Sequence, residues 1–403
     1  MQFIVKKSCY LTCLFVVVSS ALLTAQIGRA GRLDTTFGSG GVFTTNLGAT
    51  TGATSVALQS TGKIIIGGNS GSGGALARIN SNGTLDTTFG SGGFVTSRFG
   101  ISGASVVGLA VQSDDKILAI ALGFPNDLVL GRFNSNGSVD TSFGNQGFTS
   151  TLGPCQVGFA AAIALQSNGD TLVGCGFKIS RFTSTGQFDT SFGSGGTAPL
   201  KVAGPNVNAI SAQSDGRILV ASSDIGFEGM VSRYNAGGSV DTSYGILGQS
   251  GSISPTNALV LQGNGQSVIA GNLITTLNPA ANGFGLIRFN TNGGIDTTFG
   301  SQGGVATGFP GLSNAIALAA ALQTNGELIA AGEAFNQQSA SQFALARYLS
   351  GGGLDITFGV GGRVLTSFSS PASIAAIVLQ SDGKIVVAGT IGTSAAVARY
   401  FAQ

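Results

Sequence analysis

An arginine and an aspartate recur eight residues apart along this chain. The pairs are Arg78 with Asp86, Arg132 with Asp140, Arg181 with Asp189, Arg233 with Asp241, Arg288 with Asp296, and Arg347 with Asp355. Such pairs could form ligand sites, or they could be structural ion pairs that satisfy charges buried by folding. Because the pair occurs once per repeat, the structural interpretation is favoured. We predict that each pair ties a strand to the turn that follows it.

Four acids outside the repeated motifs could also carry chemistry: Asp127, Asp224, Glu228 and Glu333. Two carboxylates about 5–10 Å apart can hydrolyse a glycosidic bond. These four come from three different repeats, so scattered solvated acids are the favoured alternative and no catalytic residue is predicted. The sequence contains no histidine, which excludes Ser-His-Asp catalysis and histidine-bound metals. Each repeated turn holds one acid, too few for a calcium loop, so no metal or cofactor is predicted.

The composition favours short strands joined by tight turns. Glycine accounts for 66 of the 403 residues, while 43% of the chain is hydrophobic and 9% is charged. The apolar content excludes intrinsic disorder, and the lack of a three-residue glycine period excludes collagen. Without the two lysines of a predicted leader, the chain has 17 basic and 17 acidic residues. This balance predicts no nucleic-acid binding, because nucleic-acid binders carry a basic excess.

The N-terminus has the pattern of a secretory signal peptide over residues 1–25. Lys6 and Lys7 precede an apolar run from Leu11 to Leu23, and Ala25 offers a small residue for cleavage. The run is short for a membrane span, although retention as an uncleaved anchor is the alternative. We therefore expect a secreted, periplasmic or cell-surface protein with no membrane insertion after cleavage.

The aspartates belong to a string of the type Asp-Thr-Thr-Phe-Gly that occurs seven times. It begins at Asp34, Asp86, Asp140, Asp189, Asp241, Asp296 and Asp355, at intervals of 49 to 59 residues. Each unit also contains an apolar run ending in glutamine and β-prone runs such as Ile64-Ile65-Ile66. Asn-Gly and Asp-Gly pairs between the runs favour hairpin turns, which need a positive φ. Four short strands in about 50 residues, repeated seven times, predict an all-β, seven-bladed β-propeller of four-stranded antiparallel blades.

Two members of the pattern lack a nearby partner, and they predict how the ring closes. Arg399 has no aspartate after it, and Asp34 has no arginine before it. Both are matched if the N-terminal strand joins the C-terminal blade, which also removes exposed sheet edges. We predict one domain over residues 26–403, expected to be a monomer. The predicted blades span residues 53–97, 105–149, 158–201, 206–250, 257–307, 315–366, and 374–403 together with 31–46.

The units resemble the delta-60 repeat family, whose β-propeller repeats are known mostly from bacterial exported proteins. The resemblance rests on the Leu-Asp-Thr-Thr-Phe-Gly, Leu-Gln-x-x-Gly-Lys-Ile and Leu-Ala-Arg-Tyr-like strings, and it covers nearly all of residues 31–403. It implies the propeller fold and export, but no particular activity.

Cys155 and Cys175 are the cysteines outside the predicted leader. Exported chains favour disulfides, and the predicted layout places both cysteines at the same end of the third blade. We predict a structural disulfide between them, with two buried thiols as the alternative.

Function is expected where the repeats differ. With the strands of each blade named a, b, c and d in chain order, the nearly constant a–b and c–d turns share one face of the ring. The b–c and d–a connections share the other face and vary, as recognition loops on a rigid scaffold do. Candidate binding residues on this face are Phe124, Asp127, Asp224, Phe227, Glu228, Glu333 and Phe335, the last two in a predicted loop over residues 333–342. Phe99 and Phe309 could add aromatic surface. For any single phenylalanine, the favoured alternative is that the ring folds down onto its own blade. The leading hypothesis is a binding or scaffold module for a protein or glycan. A carbohydrate-active enzyme using the loop carboxylates and a structural surface protein without a discrete ligand are the alternatives.

Overall fold

The computed structural model describes most of the chain after the predicted signal peptide. The described residues are 29–48, 52–124, 127–149, 161–201, 206–223, 229–246, 249–251, 256–273, 282–337 and 339–403. Residues 1–25 lie outside this set. No helix long and apolar enough to cross a membrane is found in the described ranges.

The strands form seven antiparallel sheets, which are the blades of a β-propeller. Blade 1 contains β2 (Ser55–Leu58), β3 (Ile64–Asn69), β4 (Gly74–Ile79) and β5 (Phe94–Ser97). Blade 2 contains β6 (Ser102–Val111), β7 (Ile117–Phe124) and β8 (Leu128–Phe133). Blade 3 contains β9 (Ala161–Leu165), β10 (Thr171–Cys175), β11 (Lys178–Phe182) and β12 (Thr197–Pro199). Blade 4 contains β13 (Asn206–Ala212), β14 (Ile218–Ser223), β15 (Gly229–Tyr234) and β16 (Gln249–Gly251).

The remaining blades follow the same order. Blade 5 contains β17 (Thr256–Leu261), β18 (Ser267–Leu273), β19 (Gly283–Phe289) and β20 (Gly304–Thr307). Blade 6 contains β21 (Asn314–Leu322), β22 (Leu328–Asn336), β23 (Ser339–Tyr348) and β24 (Arg363–Thr366). Blade 7 contains β25 (Ala372–Leu379), β26 (Ile385–Ile391), β27 (Ser394–Tyr400) and β1 (Val42–Thr45).

Blade 2 departs from the four-strand pattern. In the part of the chain that the structure describes, a single bridge between Gly131 and Phe148 stands where the other blades have strand d. The backbone N–H of Thr149 also donates to the carbonyl of Leu130, at 2.9 Å. Among the described residues, Phe148 and Thr149 thus take the place of strand d in this blade.

The hydrophobic core lies between blades. Ile64 and Ile66 pack with Val386 and Val397 of blade 7, whereas Ile65 packs against blade 2. Successive side chains of a strand point to opposite faces of the sheet, so a strand between two neighbouring blades is buried on both faces. This explains why the b strands are continuous apolar runs.

The ring closes through strands from the two ends of the chain. The a strands contact one another in a complete cycle, from β2 through β6, β9, β13, β17, β21 and β25 back to β2. In blade 7, β1 pairs antiparallel with β27, with Phe43 opposite Val397.

Candidate interaction surface

The a–b turns are the same in all seven blades. Each has five residues between strands, and the backbone N–H of its first residue, a glutamine, donates to the carbonyl of its fifth. In blade 1 the Gln59 N–H donates to Lys63 at 2.9 Å, and in blade 7 the Gln380 N–H donates to Lys384 at 2.9 Å. One turn geometry therefore serves the whole ring.

The c–d side of each blade carries a cluster of arginine, aspartate and aromatic ring. In blade 2, Arg132 Nε donates to Asp140 Oδ2 at 2.8 Å, and its guanidinium carbon lies 4.5 Å from the centre of the Phe143 ring. Arg132 and Asp140 are both buried. The ring face and the carboxylate together replace much of the water that the guanidinium loses.

Each guanidinium also reaches the next blade, which the sequence did not predict. Arg132 Nη1 donates to the carbonyl of Ser184, in the c–d turn of blade 3, at 2.7 Å. The same contact occurs around the ring. Its members are Arg78 to Ser135, Arg181 to Ala236, Arg233 to Thr291, Arg288 to Ser350, Arg347 to Ala402, and Arg399 to Ser81. The prediction that each pair ties a strand to a turn within one blade was therefore too narrow, because the arginine also joins neighbouring blades.

The glycine of each Asp-Thr-Thr-Phe-Gly string makes a second link between blades. The Gly90 N–H donates to the carbonyl of Asn136 in blade 2 at 2.9 Å, and the Gly300 N–H donates to that of Gly351 in blade 6 at 2.8 Å. Gly137, in the turn that receives the first bond, has φ +91°, and a β-carbon there would lie 2.8 Å from the Phe89 ring. The turn glycine thus permits close approach of the neighbouring motif.

The repeated glutamine of blade 1, Gln59, also bonds to blade 2. The sequence did not reveal this role. Gln59 Nε2 donates to the carbonyl of Asp115 at 3.0 Å and to that of Ser135 at 3.2 Å, both in blade 2. Its Oε1 accepts from Arg78 Nη1 at 3.2 Å. The recurrence of glutamine at the end of strand a was the only sequence signal for this role.

The motif aspartates are held in the charged form. Burial opposes ionisation of Asp34, but hydrogen bonds from Thr36 and the charge of Arg399 outweigh it and lower the pKa of Asp34 below its usual value. At Asp296 the hydrogen bond from Thr298 dominates over burial, and with Gln266 and Arg288 it lowers the pKa to about 2. These acids are ionised partners in ion pairs, whereas a general acid near neutral pH needs a raised pKa.

In blade 7 the two ends of the described chain take the place of the c–d turn. The Gly31 N–H donates to the carbonyl of Phe401 at 2.8 Å, as the Gly83 N–H donates to that of Asn80 in blade 1 at 2.9 Å. Arg399 Nε donates to Asp34 Oδ2 at 2.9 Å. The noncovalent junction reproduces the bonding of the covalent turns.

The opposite face differs from blade to blade. The b–c connection is two residues in blade 3 (176–177), four in blade 1 (70–73) and nine in blade 5 (274–282). Residues 274–281 and 224–228 lie outside the described residues, so the predicted candidates Asp224, Phe227 and Glu228 have no structural account.

Among the described residues of this face, two aromatic side chains are exposed, and they lie on adjacent blades. Phe124 ends β7 in blade 2 and is 75% exposed, and Phe177 lies in the b–c turn of blade 3 and is 47% exposed. Asp127 is half-buried beside Phe124, and its carbonyl accepts from the Gly123 N–H at 2.9 Å. Phe177 was not predicted, because a two-residue turn gives no loop from which to select it.

Two candidate aromatic residues of this face are buried, and the predicted loop 333–342 is mostly strand. Phe99 and Phe309 are both 3% exposed, and each packs edge-on against a strand c phenylalanine, Phe133 and Phe284 respectively. The predicted loop 333–342 is largely a hairpin extension of β22 and β23, in which Glu333 pairs with Phe343. Phe335 is likewise in β22, opposite Asn314, and is half-buried.

Two of the candidate acids are among the described residues, and they lie on blades that are not adjacent. Asp127 belongs to blade 2 and Glu333 to blade 6, which are not neighbours in the ring. Within the described ranges, no group of three or more Cys, Asp or Glu residues could hold a metal ion.

Cys175 ends β10 in blade 3 and is disulfide-bonded. Its predicted partner, Cys155, lies outside the described residues. The bonded cysteine is buried, at 4% exposure, at the same end of blade 3 as Phe177.

A family model described as a domain of unknown function (DUF5122) beta-propeller matches residues 59–89, 112–143, 213–244, 323–358 and 380–403. Every matched segment begins at the repeated glutamine, and the first four end at the motif aromatic residue. The chain carries β-propeller repeats. No curated protein matches the sequence.

Solved structures of other propellers share the fold. Virginiamycin B lyase from Staphylococcus aureus is similar with a TM-score of 0.57 and 13% identity, over 89% of this chain and 98% of that one. The WD40 β-propeller domain of Doa1 is similar with a TM-score of 0.53 and 11% identity, over 87% of this chain and 93% of that one. At such identities the similarity shows the fold alone.

Proposed function

We propose that this protein is an exported interaction module that binds a protein or glycan partner through the b–c/d–a face. The observation that carries the proposal is that one face of the ring holds the blades together while the other face varies from blade to blade. On the a–b/c–d face, the repeated arginines and glycines join neighbouring blades, and the repeated aspartates hold the arginines in place. The described b–c connections carry no such repeated bond, so their length and composition can vary without opening the ring.

Phe124 and Phe177 are the centre of the proposed surface. An exposed aromatic side chain loses little conformational entropy on binding and offers both apolar area and a ring face, which suits protein partners and sugar rings alike. The half-buried Asp127 adjoins Phe124 and adds a hydrogen-bond acceptor.

The test is a screen of the mature chain, residues 26–403, against glycan and protein arrays. Ligands found with the native chain are then measured with Phe124→Ser and Phe177→Ser. Ile246→Ser is the matched control. Ile246 is 83% exposed but follows the blade 4 motif, in a c–d connection, and so belongs to the opposite face. We expect a loss of about tenfold or more in affinity for an aromatic anchor, and no change in the control. Ligands that bind both phenylalanine variants as tightly as the native chain would contradict the face assignment, and an empty screen would favour a structural surface protein.

A further inference from the structure

A groove lies on the outer wall between blades 6 and 7, away from the b–c turns that carry Phe124 and Phe177. Its volume is about 650 Å³, and one side is formed by residues 30–33 at the start of the described chain. The other side is formed by β24, the outermost strand of blade 6, with Val360 before it. Phe309 and Pro310, in the connection that leads into blade 6, and Tyr400 of β27 also line it. We call this the seam groove.

The other repeats act as internal controls for the residues that line it. Val360 is 87% exposed, yet four other repeats carry serine at its position: Ser39, Ser91, Ser194 and Ser301. Leu365 is 38% exposed, where Thr44 and Thr96 occupy the same position in other d strands. The blade architecture therefore does not require apolar side chains here, and a group of exposed apolar residues commonly marks an interaction site.

The groove is also positively charged. Arg32 and Arg363 line it, and none of the residues lining it is acidic. Arg363 is held in position, since its Nε donates to the Gly308 carbonyl at 2.8 Å and its Nη1 to the Gly361 carbonyl at 2.9 Å. The nearby motif acids Asp34 and Asp355 are engaged by Arg399 and Arg347.

A strand edge runs along the same groove. β24 pairs with β23 on one side and is the last strand of its sheet, so its other edge is open among the described residues. An open edge of this kind accepts an extended peptide by adding a strand, with side-chain pockets giving specificity.

We propose that the seam groove binds an extended acidic peptide segment of a partner protein. The peptide backbone pairs with the edge of β24, an apolar side chain packs on Val360 and Leu365, and a carboxylate is held by Arg32 and Arg363. Guanidinium groups suit this role because they bind carboxylates in a two-pronged geometry. This proposal does not rest on the proposed function, because the groove contains neither Phe124 nor Phe177.

The experiment is a selection of displayed, randomised seven-residue peptides on the mature chain, followed by fluorescence anisotropy with the enriched sequences. We expect enriched peptides to carry Asp or Glu beside a β-branched or aromatic residue. The double variant Arg32→Gln/Arg363→Gln should weaken their binding about tenfold or more, as expected for lost charge-assisted hydrogen bonds. Val360→Ser and Leu365→Thr should weaken it about threefold to tenfold, for the loss of one apolar contact.

Controls separate this site from the other face. Val360→Ser introduces a residue that four repeats already carry, so it should fold normally, and Ile246→Ser is the matched change at the same motif position in blade 4. Neither Ile246→Ser nor Phe124→Ser should alter peptide binding. Enrichment of peptides without acids, failure to enrich any peptide, or binding unaffected by the arginine changes would overturn the proposal. Sedimentation that reveals a dimer abolished by Val360→Ser would also overturn it, since a second copy of the chain would then be the occupant.

Discussion

Replacement of Asp34 by alanine tests the noncovalent junction of the ring. The Asp34 carboxylate accepts bonds from Arg399 at 2.8 and 2.9 Å and from the Thr36 backbone and hydroxyl at 3.1 and 2.6 Å. Both ionic side chains are buried, at 1% and 7% exposure. Removing one partner of a buried ion pair leaves the other charge uncompensated and costs about 3–5 kcal/mol. Arg399 would retain its contacts with the Phe37 ring and the Ser81 carbonyl, which favours the lower end of this range.

The part of the fold that loses hydrogen-exchange protection distinguishes a change at the junction from the same change in another blade. Among the described strands, β1 alone joins a blade whose other strands lie at the opposite end of the chain. Asp34→Ala should therefore open β1 locally as well as lower the urea midpoint. By hydrogen exchange, protection of the Val42–Thr45 amides should fall about 100-fold, the equivalent of roughly 3 kcal/mol. Asp140→Ala, which removes the same motif acid in blade 2, should destabilise the chain without selectively exposing β1. Thr35→Ala is the neutral control, because Thr35 is exposed. If β1 protection and the midpoint were unchanged in Asp34→Ala, the reasoning about the junction would be refuted.

Three further predictions concern stability and binding. The pKa of Asp296 is about 2 in the folded state, below the unfolded value of about 4. Its ion pair therefore stabilises the fold above about pH 4, and this stabilisation is lost as the pH falls from about 4 to about 2. The urea midpoint should therefore be steady from pH 7 to 5 and drop below pH 4. Gly137→Ala should lower the thermal midpoint more than Gly92→Ala. Both glycines have positive φ, so alanine is strained at either position. A β-carbon at 137 would also clash with Phe89, whereas one at 92 meets nothing within 4 Å. Phe124→Ser should leave the thermal midpoint within about 1 °C of native, because a surface change away from packed features alters stability by at most about 0.5 kcal/mol. The same variant should reduce ligand capture on the arrays.

Several features of the fold could be predicted because they repeat. The turn signals and apolar runs at intervals of 49 to 59 residues identified the blades, and the unmatched Arg399 and Asp34 indicated which ends meet. The strand b run Ile64-Ile65-Ile66 could be identified as a strand, but not as one buried between two blades. Its burial depends on residues about one or more repeats away in the chain.

The candidate site was harder to predict because its residues do not repeat. Phe99 and Phe309 looked like loop aromatics, but each folds back onto a phenylalanine of its neighbouring strands. Glu333 and Phe335 were assigned to a loop, whereas antiparallel pairing extends the hairpin through them. Phe177 lies in the two-residue turn between β10 and β11, and its exposure is known only from the paired strands.

By itself, the sequence determined the number of blades, the class of fold and the pairing of arginine with aspartate, because these follow from local strand and turn preferences repeated seven times. Only the tertiary structure decided that each arginine also joins two blades, that the seam groove combines both ends of the described chain, and which aromatic side chains remain exposed. The first two outcomes depend on contacts between residues more than fifty positions apart, which the closure of the ring brings together. The third depends on how each ring packs against a neighbouring strand.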